Sequence, residues 1–308
     1  MRTNRAAWVA AAVIASVVAT PVGAETASMN GLFPAPYREA AMLLSISVGR
    51  IDGRDGYQVG AAIERALGSN GYFDLQGGRR SGGNAEGVLN GGVSSGVEDN
   101  YYKRREKRCV ERDANKKCTK EEEYEIRCTQ RIANLRADLR ITRTFDGQVI
   151  YSVSKPLRQQ IDWCEGQTAP RTTEEMIASM VNEVAASVRG DIVPRSDSYR
   201  IRFIEGTKGL PKEQVKPFKA IVKQTQRDLA GACAAWGEMN RQVPNHGSIV
   251  FNLGLCAEAS GDLRGALGWY QHAASILGQR GEAGTAINRV QSRMTADADF
   301  AERERRRR

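Results

Sequence analysis

The sequence lacks the short motifs that mark most metal, nucleotide and catalytic sites. It contains no Walker A sequence, no H-E-x-x-H pair and no Cys-x-x-Cys pair, and its only histidines are His246 and His272. No set of residues therefore has the spacing of a metal or cofactor site, and no paired carboxylates offer a general acid and base. The sequence predicts no catalytic, cofactor-binding or metal-binding residues and favours a non-enzymatic protein.

Apolar side chains are scarce in residues 77–98, which contain eight glycines separated mainly by polar residues. This composition predicts a flexible insertion, because too little apolar surface is present to offset the entropy of ordering it. Residues 92–96 (GVSSG) match the hydrolase pattern G-x-S-x-G. That nucleophile elbow needs a strand immediately before it and a helix immediately after it. Neither flank is predicted, so a serine hydrolase is the weakest functional alternative.

Long apolar runs are also scarce, and the one that stands out is residues 6–19. Arg2 and Arg5 precede this run and small residues follow it as far as Ala24, which is typical of a secretory signal peptide. The run is shorter than the roughly 20 residues needed to span a bilayer. We expect cleavage after Ala24, a mature chain that begins at Glu25, and a soluble product in the periplasm. No cysteine lies near this site, so no lipoprotein anchor is predicted.

The excess of positive charge is moderate. The chain has 45 lysines and arginines against 36 acidic residues, and removal of the signal peptide would leave 43 against 36. A basic exported protein meets anionic envelope surfaces more often than nucleic acid. We therefore expect no nucleic-acid partner and leave open a peripheral contact with an anionic envelope surface. Solvated charge that keeps the protein soluble is the simpler explanation.

Six cysteines in an exported chain predict disulfides, because the compartment is oxidising. Sequence alone permits 15 pairings of six cysteines. Pairing of neighbours is favoured, and the three candidate pairs are Cys109 with Cys118, Cys128 with Cys164, and Cys233 with Cys256. Free buried thiols are the alternative, and this alternative is strongest for the last pair.

Alternating apolar and polar residues predict a sheet. A strand over residues 44–48, a helix over 59–67 and an extended stretch over 72–75 predict two parallel strands covered by a helix. Residues 25–36 are small and turn-rich, and the densely charged residues 101–113 predict a strand or a hairpin arm.

The strands at residues 133–141 and 149–153 predict a hairpin. A three-residue loop, 145–147, with Gly147 left-handed would pair Ile141 with Tyr151 and would put both apolar sets on one side. The same register places Cys128 opposite Cys164.

Residues 172–175 resemble a capping box that begins a helix ending at Gly190, and a strand follows at residues 199–203. This order of elements, together with the short segments 71–75 (GYFDL) and 145–150 (FDGQVI), resembles an α/β envelope domain. That domain occurs in the amino-terminal part of the periplasmic Tol translocation protein, the curli secretion channel subunit and the lipoprotein activators of penicillin-binding proteins. The resemblance implies non-enzymatic work in assembling or regulating envelope machines.

The C-terminal region resembles tetratricopeptide repeats, helix-turn-helix units of about 34 residues. Small and large residues recur at the family's intervals from Gly247 to Leu277, and a degenerate copy precedes them. The matching positions are Leu253, Gly254, Gly261, Ala266, Tyr270 and Ala273, with Ala232, Trp236 and Pro244 in the preceding window. The resemblance implies a protein-binding surface lined by the first helix of each pair.

A partner is therefore expected on residues 247–258 and on the lysine-bearing helix before them. The candidate contacts are Lys216, Lys219, Lys223, Asn252 and Glu258. The three lysines recur at spacings of three and four and so share one helical face. The alternatives are a solvated face, or a helix displaced from the repeat frame, because Lys219 and Lys223 stand where apolar residues are usual.

The sequence as a whole predicts an α+β protein with a mixed sheet flanked by helices, followed by an all-α helical domain. The predicted parts are a signal peptide (1–24), an envelope domain (25–206), a helical domain (207–300) that ends in a capping helix near 285–294, and a basic tail (301–308). The predicted function is an exported adaptor for protein partners. The alternative is a subunit or assembly factor of an outer-membrane secretion channel, because the apolar side of residues 135–141 also fits a strand that faces lipid.

Overall fold

The computed structural model describes residues 25–76 and 85–308. The predicted signal peptide, residues 1–24, lies outside the described residues, as does the 77–84 part of the predicted insertion. The strands are β1 (Thr26–Phe33), β2 (Ser45–Asp52), β3 (Asp74–Leu75), β4 (Gly87–Arg112), β5 (Cys118–Arg143), β6 (Val149–Cys164) and β7 (Arg195–Arg202). The helices are α1 (Arg38–Ala41), α2 (Gly56–Gly68), α3 (Thr173–Ile192), α4 (Lys212–Gln224), α5 (Leu229–Gln242), α6 (Gly247–Ala259), α7 (Leu263–Leu277) and α8 (Glu282–Arg307).

The main sheet is mixed and has the strand order β3-β2-β4-β5-β6. Strand β2 runs parallel to both β3 and β4, whereas β5 runs antiparallel to both β4 and β6. Helix α2 packs on β2, and α3 packs on β5 and β6. This arrangement confirms the predicted α+β class with a mixed sheet and C-terminal helices.

The described chain forms two compact units. The helical unit consists of residues 25–29 and 200–286, and the sheet unit consists of residues 30–199 and 287–308. This division differs from the predicted domains, because residues 25–29 and 200–206 belong to the helical unit and residues 287–308 belong to the sheet unit.

The β5–β6 pair has the predicted register. Ile141 lies opposite Tyr151, and Cys128 lies opposite Cys164. Every second side chain of β5 points inward and is buried in one core with α2 and α3. These side chains are Leu135, Ala137, Leu139 and Ile141. Burial of each Leu or Ile side chain stabilises the fold by about 1.5–3 kcal/mol, so this alternation determines which face of β5 turns inward.

The β5–β6 turn is one residue longer than predicted. The Arg143 amide donates to the Gln148 carbonyl (2.8 Å) and the Gly147 amide donates to the Arg143 carbonyl (2.9 Å), which encloses a four-residue loop. Gly147 is left-handed, as predicted, with φ +73°. A shift at Ile150 then restores the predicted register, because a bulge adds one residue to one strand.

The flexible insertion predicted for residues 77–98 is wrong from residue 87 onward. These residues form the first part of β4, which pairs with β2 on one edge and with β5 on the other. Leu89 and Val93 are buried in the core. At Gly91 a Cβ would collide with the backbone oxygen of Asp138, so a glycine here allows close approach of two strands.

Helix α3 begins with the predicted capping box. The Thr172 hydroxyl accepts from the Glu175 amide (3.1 Å), and the Glu175 carboxylate accepts from the Thr172 amide (2.8 Å). The helix continues two residues past the predicted stop at Gly190, because Ile192 is buried in the core.

Strand β1 replaces the turn-rich segment predicted for residues 25–36. Exposed and buried residues alternate from Thr26 to Gly31, which is the pattern of a half-buried strand. Its partner is β7, the strand predicted at residues 199–203, and the two form a separate two-stranded sheet.

The helical unit contains the predicted helix pair. Helices α6 and α7 are joined at Gly261, which has φ +85°, and α4 and α5 precede them. The Phe218 and Trp236 rings of α4 and α5 meet edge to face, 4.9 Å apart. The Cys233–Cys256 disulfide joins α5 to α6.

Residues 301–307, which the sequence marked only as a basic tail, are the last turns of α8, and the predicted capping helix near 285–294 extends from Glu282 to Arg307. Arg303 is buried, and its guanidinium donates to the carbonyls of Ala41, Leu43 and Tyr72. The Arg306 side chain donates to the Met42 carbonyl (2.6 Å). These contacts within the sheet unit order a segment that its charge alone predicted to be solvated.

Candidate protein-binding surfaces

Helix α4 presents a basic face to solvent. Its other side is apolar, since Phe218, Ile221 and Val222 are buried in the helical unit. The lysines occupy the exposed side at spacings of four, three and four, and they are Lys212, Lys216, Lys219 and Lys223. The spacing places the four side chains on one helical face, which we call the lysine face.

The lysine face has no acidic partner among the described residues. No carboxylate oxygen of those residues lies within 4 Å of the ammonium group of any of the four lysines. The sequence predicted three of the four lysines and missed Lys212, whose spacing from Lys216 was the available signal. Apolar contacts of α4 use residues 218, 221 and 222 instead of 219 and 223. The helix is therefore rotated from the frame that the repeat resemblance implies.

Asn252 is not a surface contact, and its prediction as a partner-binding residue is wrong. The residue is fully buried. Its side-chain amide accepts from the Ile204 amide (2.9 Å) and donates to the Ile204 carbonyl (3.0 Å). One turn earlier, the Ser248 hydroxyl donates to the Gly206 carbonyl (2.7 Å). The chain's own segment at residues 204–206 thus occupies the side of α6 on which a partner was expected.

Glu258 is also interior, with 1% of its surface exposed, so the prediction of a partner contact there is wrong as well. Its carboxylate accepts a hydrogen bond from the Tyr270 hydroxyl (2.7 Å). This bond joins α6 to α7 and satisfies a polar group that would be costly to bury alone. A Cβ at Gly254 would lie 2.6 Å from the Tyr270 ring, which explains the glycine.

The residues predicted from the repeat pattern are structural. Those buried between helices are Ala232, Trp236, Leu253, Ala266, Tyr270 and Ala273. Pro244 lies exposed in the turn before α6. The positions are compatible with two stacked helix pairs, and they do not by themselves define a repeat family.

The G-x-S-x-G pattern has no elbow geometry. Residues 92–96 lie inside β4, so the sharp strand-to-helix turn of a nucleophile is absent there. The serine at the nucleophile position of the pattern is Ser94, which is exposed on the strand, and the hydroxyl of its neighbour Ser95 donates to the Asp55 carboxylate. Among the described residues no cluster of three or more His, Cys, Asp or Glu side chains has the geometry to hold a metal ion.

Residues 103–127 form an exposed hairpin that we call the charged ribbon. Strand β2 pairs with β4 only as far as Gly92, and β6 pairs with β5 only from Cys128 onward. Nine residue pairs between β4 and β5 therefore have no further strand on either side, over roughly 30 Å. The Cys109–Cys118 disulfide closes the tip of the ribbon, and the Cys128–Cys164 disulfide lies at its base. All three disulfides join the pairs that the sequence favoured.

The two strands of the ribbon carry opposite charge. Residues 103–112 include six lysines or arginines and two glutamates, whereas residues 118–127 include four glutamates and two basic residues. Arg105 lies opposite Glu125, and Lys107 lies opposite Glu123. Lys103 also forms an ion pair with Glu125 and holds the pKa of that carboxyl below its usual range. The sequence predicted an arm at 101–113, and the acidic block after Cys118 was the overlooked signal for its partner strand.

The strand that supported the channel alternative faces protein. Leu135, Leu139 and Ile141 of β5 are each at most 2% exposed and pack in the core of the sheet unit. Their alternation is therefore explained by a half-buried sheet and not by contact with lipid. Within residues 25–76 and 85–308, none of the helices combines the length and apolarity of a membrane span.

The chain has distant likenesses to solved structures. A scan of protein families finds no match, and a search of curated proteins finds none either. The PelC dodecamer from Paraburkholderia phytofirmans aligns at 14% identity over 55% of this chain and 99% of that chain, with a TM-score of 0.30. A minor lipoprotein from Acinetobacter baumannii aligns at 15% over 48% and 90%, with a TM-score of 0.25. A neuraminyllactose-binding hemagglutinin homolog from Helicobacter pylori aligns at 12% over 58% and 91%, with a TM-score of 0.27. Likenesses this distant carry no argument about what the chain binds.

Proposed function

We propose that this chain is an exported, non-enzymatic adaptor of the bacterial cell envelope that binds a protein partner through its helical unit. The observation that carries the proposal is the lysine face of α4, four exposed ammonium groups on one helix without an acidic partner in the described chain. Such a face matches an acidic segment of another protein.

The helix pairs support a binding role of the tetratricopeptide kind. Helices α4–α5 and α6–α7 follow one another as two hairpins, and glycine stands where α6 and α7 touch. In such arrays the first helix of each pair lines the binding side. Here α6 is covered by the chain's own residues 204–206, so the partner surface is limited to α4.

An exported location is supported by three disulfides and by the basic, apolar and small-residue order of residues 1–24. The test is amino-terminal sequencing of the protein from its native cells after osmotic shock. A mature terminus at Glu25 in the shock fluid is expected. Recovery of an unprocessed chain in the cytosol would contradict export.

The binding role is tested by reversing Lys216, Lys219 and Lys223 to Glu. A partner captured by crosslinking in the native envelope is purified, and its affinity for the wild-type and reversed proteins is measured at several salt concentrations. Three exposed ion pairs contribute about 0.2–1 kcal/mol each, so affinity should fall by roughly 3- to 150-fold. The loss should shrink as salt rises.

The matched control reverses Lys103, Arg105 and Lys107 to Glu on the charged ribbon, which changes the net charge by the same amount. This control should bind the partner as the wild type does. Unchanged affinity of the α4 variant, with an unchanged thermal midpoint, would refute the lysine face as the binding site.

A further inference from the structure

The charged ribbon has two free strand edges. In the described chain, β4 has no neighbouring strand on its outer edge beyond Gly92, and β5 has none on its outer edge before Cys128, where the Glu165 amide still donates to the Arg127 carbonyl (2.8 Å). The backbone N–H and C=O groups along such an edge are a template for a further strand. Shorter or bulged edges usually prevent this, whereas the free edges here are regular over residues 103–109 and 121–126.

Charge determines which edges can meet. Alternate residues of a strand share a face, so Lys103, Arg105 and Lys107 form a basic column along β4. On the same face Glu121, Glu123 and Glu125 form an acidic column along β5. All six side chains are exposed.

Two copies could join their ribbons in three ways. Contact between two β4 edges would place basic columns side by side, and contact between two β5 edges would place acidic columns side by side. Like charges directly opposite on neighbouring strands are destabilising. Contact between a β4 edge and a β5 edge places a basic column beside an acidic one and is the favourable arrangement.

We propose that the β4 edge of the ribbon pairs with the β5 edge of a second copy of this chain. The two edges are different surfaces, so the contact is heterologous and each copy keeps one edge free. Repetition of the contact joins copies head to tail, into a ring if the rotation closes and into a filament if it does not.

Sedimentation of the oxidised mature protein at low ionic strength tests this proposal. The wild type should associate with rising concentration, and added salt should reverse the association. A wild type that stays monomeric at the highest soluble concentration would overturn the proposal.

Two reversed variants then test the edges. The acidic variant changes Lys103, Arg105 and Lys107 to Glu, and the basic variant changes Glu121, Glu123 and Glu125 to Lys. Each variant alone should lose the associated species, because all of its edges carry one sign. An equimolar mixture should regain it, because acidic edges then meet basic ones.

The mixture separates assembly from folding of the ribbon. Mixing does not alter the like-charge strands within each hairpin, so a regained complex reports contact between chains. A mixture that stays monomeric while both variants keep the Cys109–Cys118 disulfide would refute edge pairing. The α4 variant of Lys216, Lys219 and Lys223 has a matched charge change and should assemble normally, and loss of assembly in it would also count against the ribbon.

Discussion

Replacing Arg303 tests whether the last turns of α8 stabilise the sheet unit. The side chain is 2% exposed. Its guanidinium donates to the carbonyls of Ala41 (2.7 Å), Tyr72 (2.6 Å) and Leu43, and lies 3.9 Å from the centre of the Tyr72 ring. Burial lowers the pKa of Arg303, because it disfavours the charged form, but an arginine stays protonated at neutral pH.

The magnitude follows from the groups that Arg303→Met would leave behind. The Ala41 carbonyl keeps the Tyr72 hydroxyl as a donor, and the Tyr72 carbonyl keeps Arg307. The Leu43 carbonyl loses its donor and has no second one among the described residues. An unpaired buried carbonyl costs about 1–3 kcal/mol, and the lost cation–π contact adds about 1 kcal/mol. We expect a net loss of about 3 kcal/mol in the free energy of unfolding.

The assay is a urea titration followed by circular dichroism. With a denaturant slope of about 3 kcal/mol/M, the unfolding midpoint should fall by about 1 M. Arg303→Lys should fall between the wild type and Arg303→Met, since it keeps the charge but lacks the planar set of donors. Arg308→Met, at the exposed end of the chain, is the matched control and should leave the midpoint unchanged. A midpoint within about 0.3 M of wild type for Arg303→Met would show that α8 contributes little to this unit.

Three further predictions concern single features of the fold. Replacing Cys128 and Cys164 with serine should lower the free energy of unfolding by about 4 kcal/mol, because their disulfide closes a loop with a sequence separation of 36. Chemical denaturation would measure this loss, and a loss below about 1 kcal/mol would contradict the prediction. Burial and a hydrogen bond to Asp191 raise the pKa of Tyr151, so the folded state favours the neutral phenol and stability should fall as pH rises above about 10. The urea midpoint of the wild type should therefore drop between about pH 9 and 11, and Tyr151→Phe should show a smaller drop. An equal drop in both proteins would refute this. Asn252→Leu should lower the stability of the helical unit by about 2–4 kcal/mol, because two backbone groups lose their partners, and an unchanged thermal midpoint would count against it.

Local patterns in the sequence were sufficient for much of the fold. The alternation in β5 predicted its inward face, and a shared apolar side with β6 predicted the register that places Cys128 opposite Cys164. The capping box at Thr172 predicted the start of α3. Each of these depends on residues a few positions apart or on two adjacent strands, so the physical cause is contained in the local sequence.

Residues 87–98 show where local composition fails. Few apolar side chains and several glycines predicted a flexible segment, yet the segment is a central strand of the sheet. Its order comes from β2 and β5, which supply hydrogen bonds on both edges, and from the need for glycine where Gly91 passes close to Asp138. Neighbours distant in sequence provide both contributions, so composition could not reveal them.

The candidate binding residues show the same difference between what local sequence predicts and what the folded chain decides. Helical spacing in the sequence determined that Lys216, Lys219 and Lys223 share one face, and the structure leaves that face exposed. The repeat resemblance also made Asn252 and Glu258 candidate contacts, but both are interior, where Asn252 bonds to the Ile204 backbone and Glu258 bonds to Tyr270. Whether a polar side chain meets solvent or another segment depends on how distant segments pack, and only the folded chain brings those segments together.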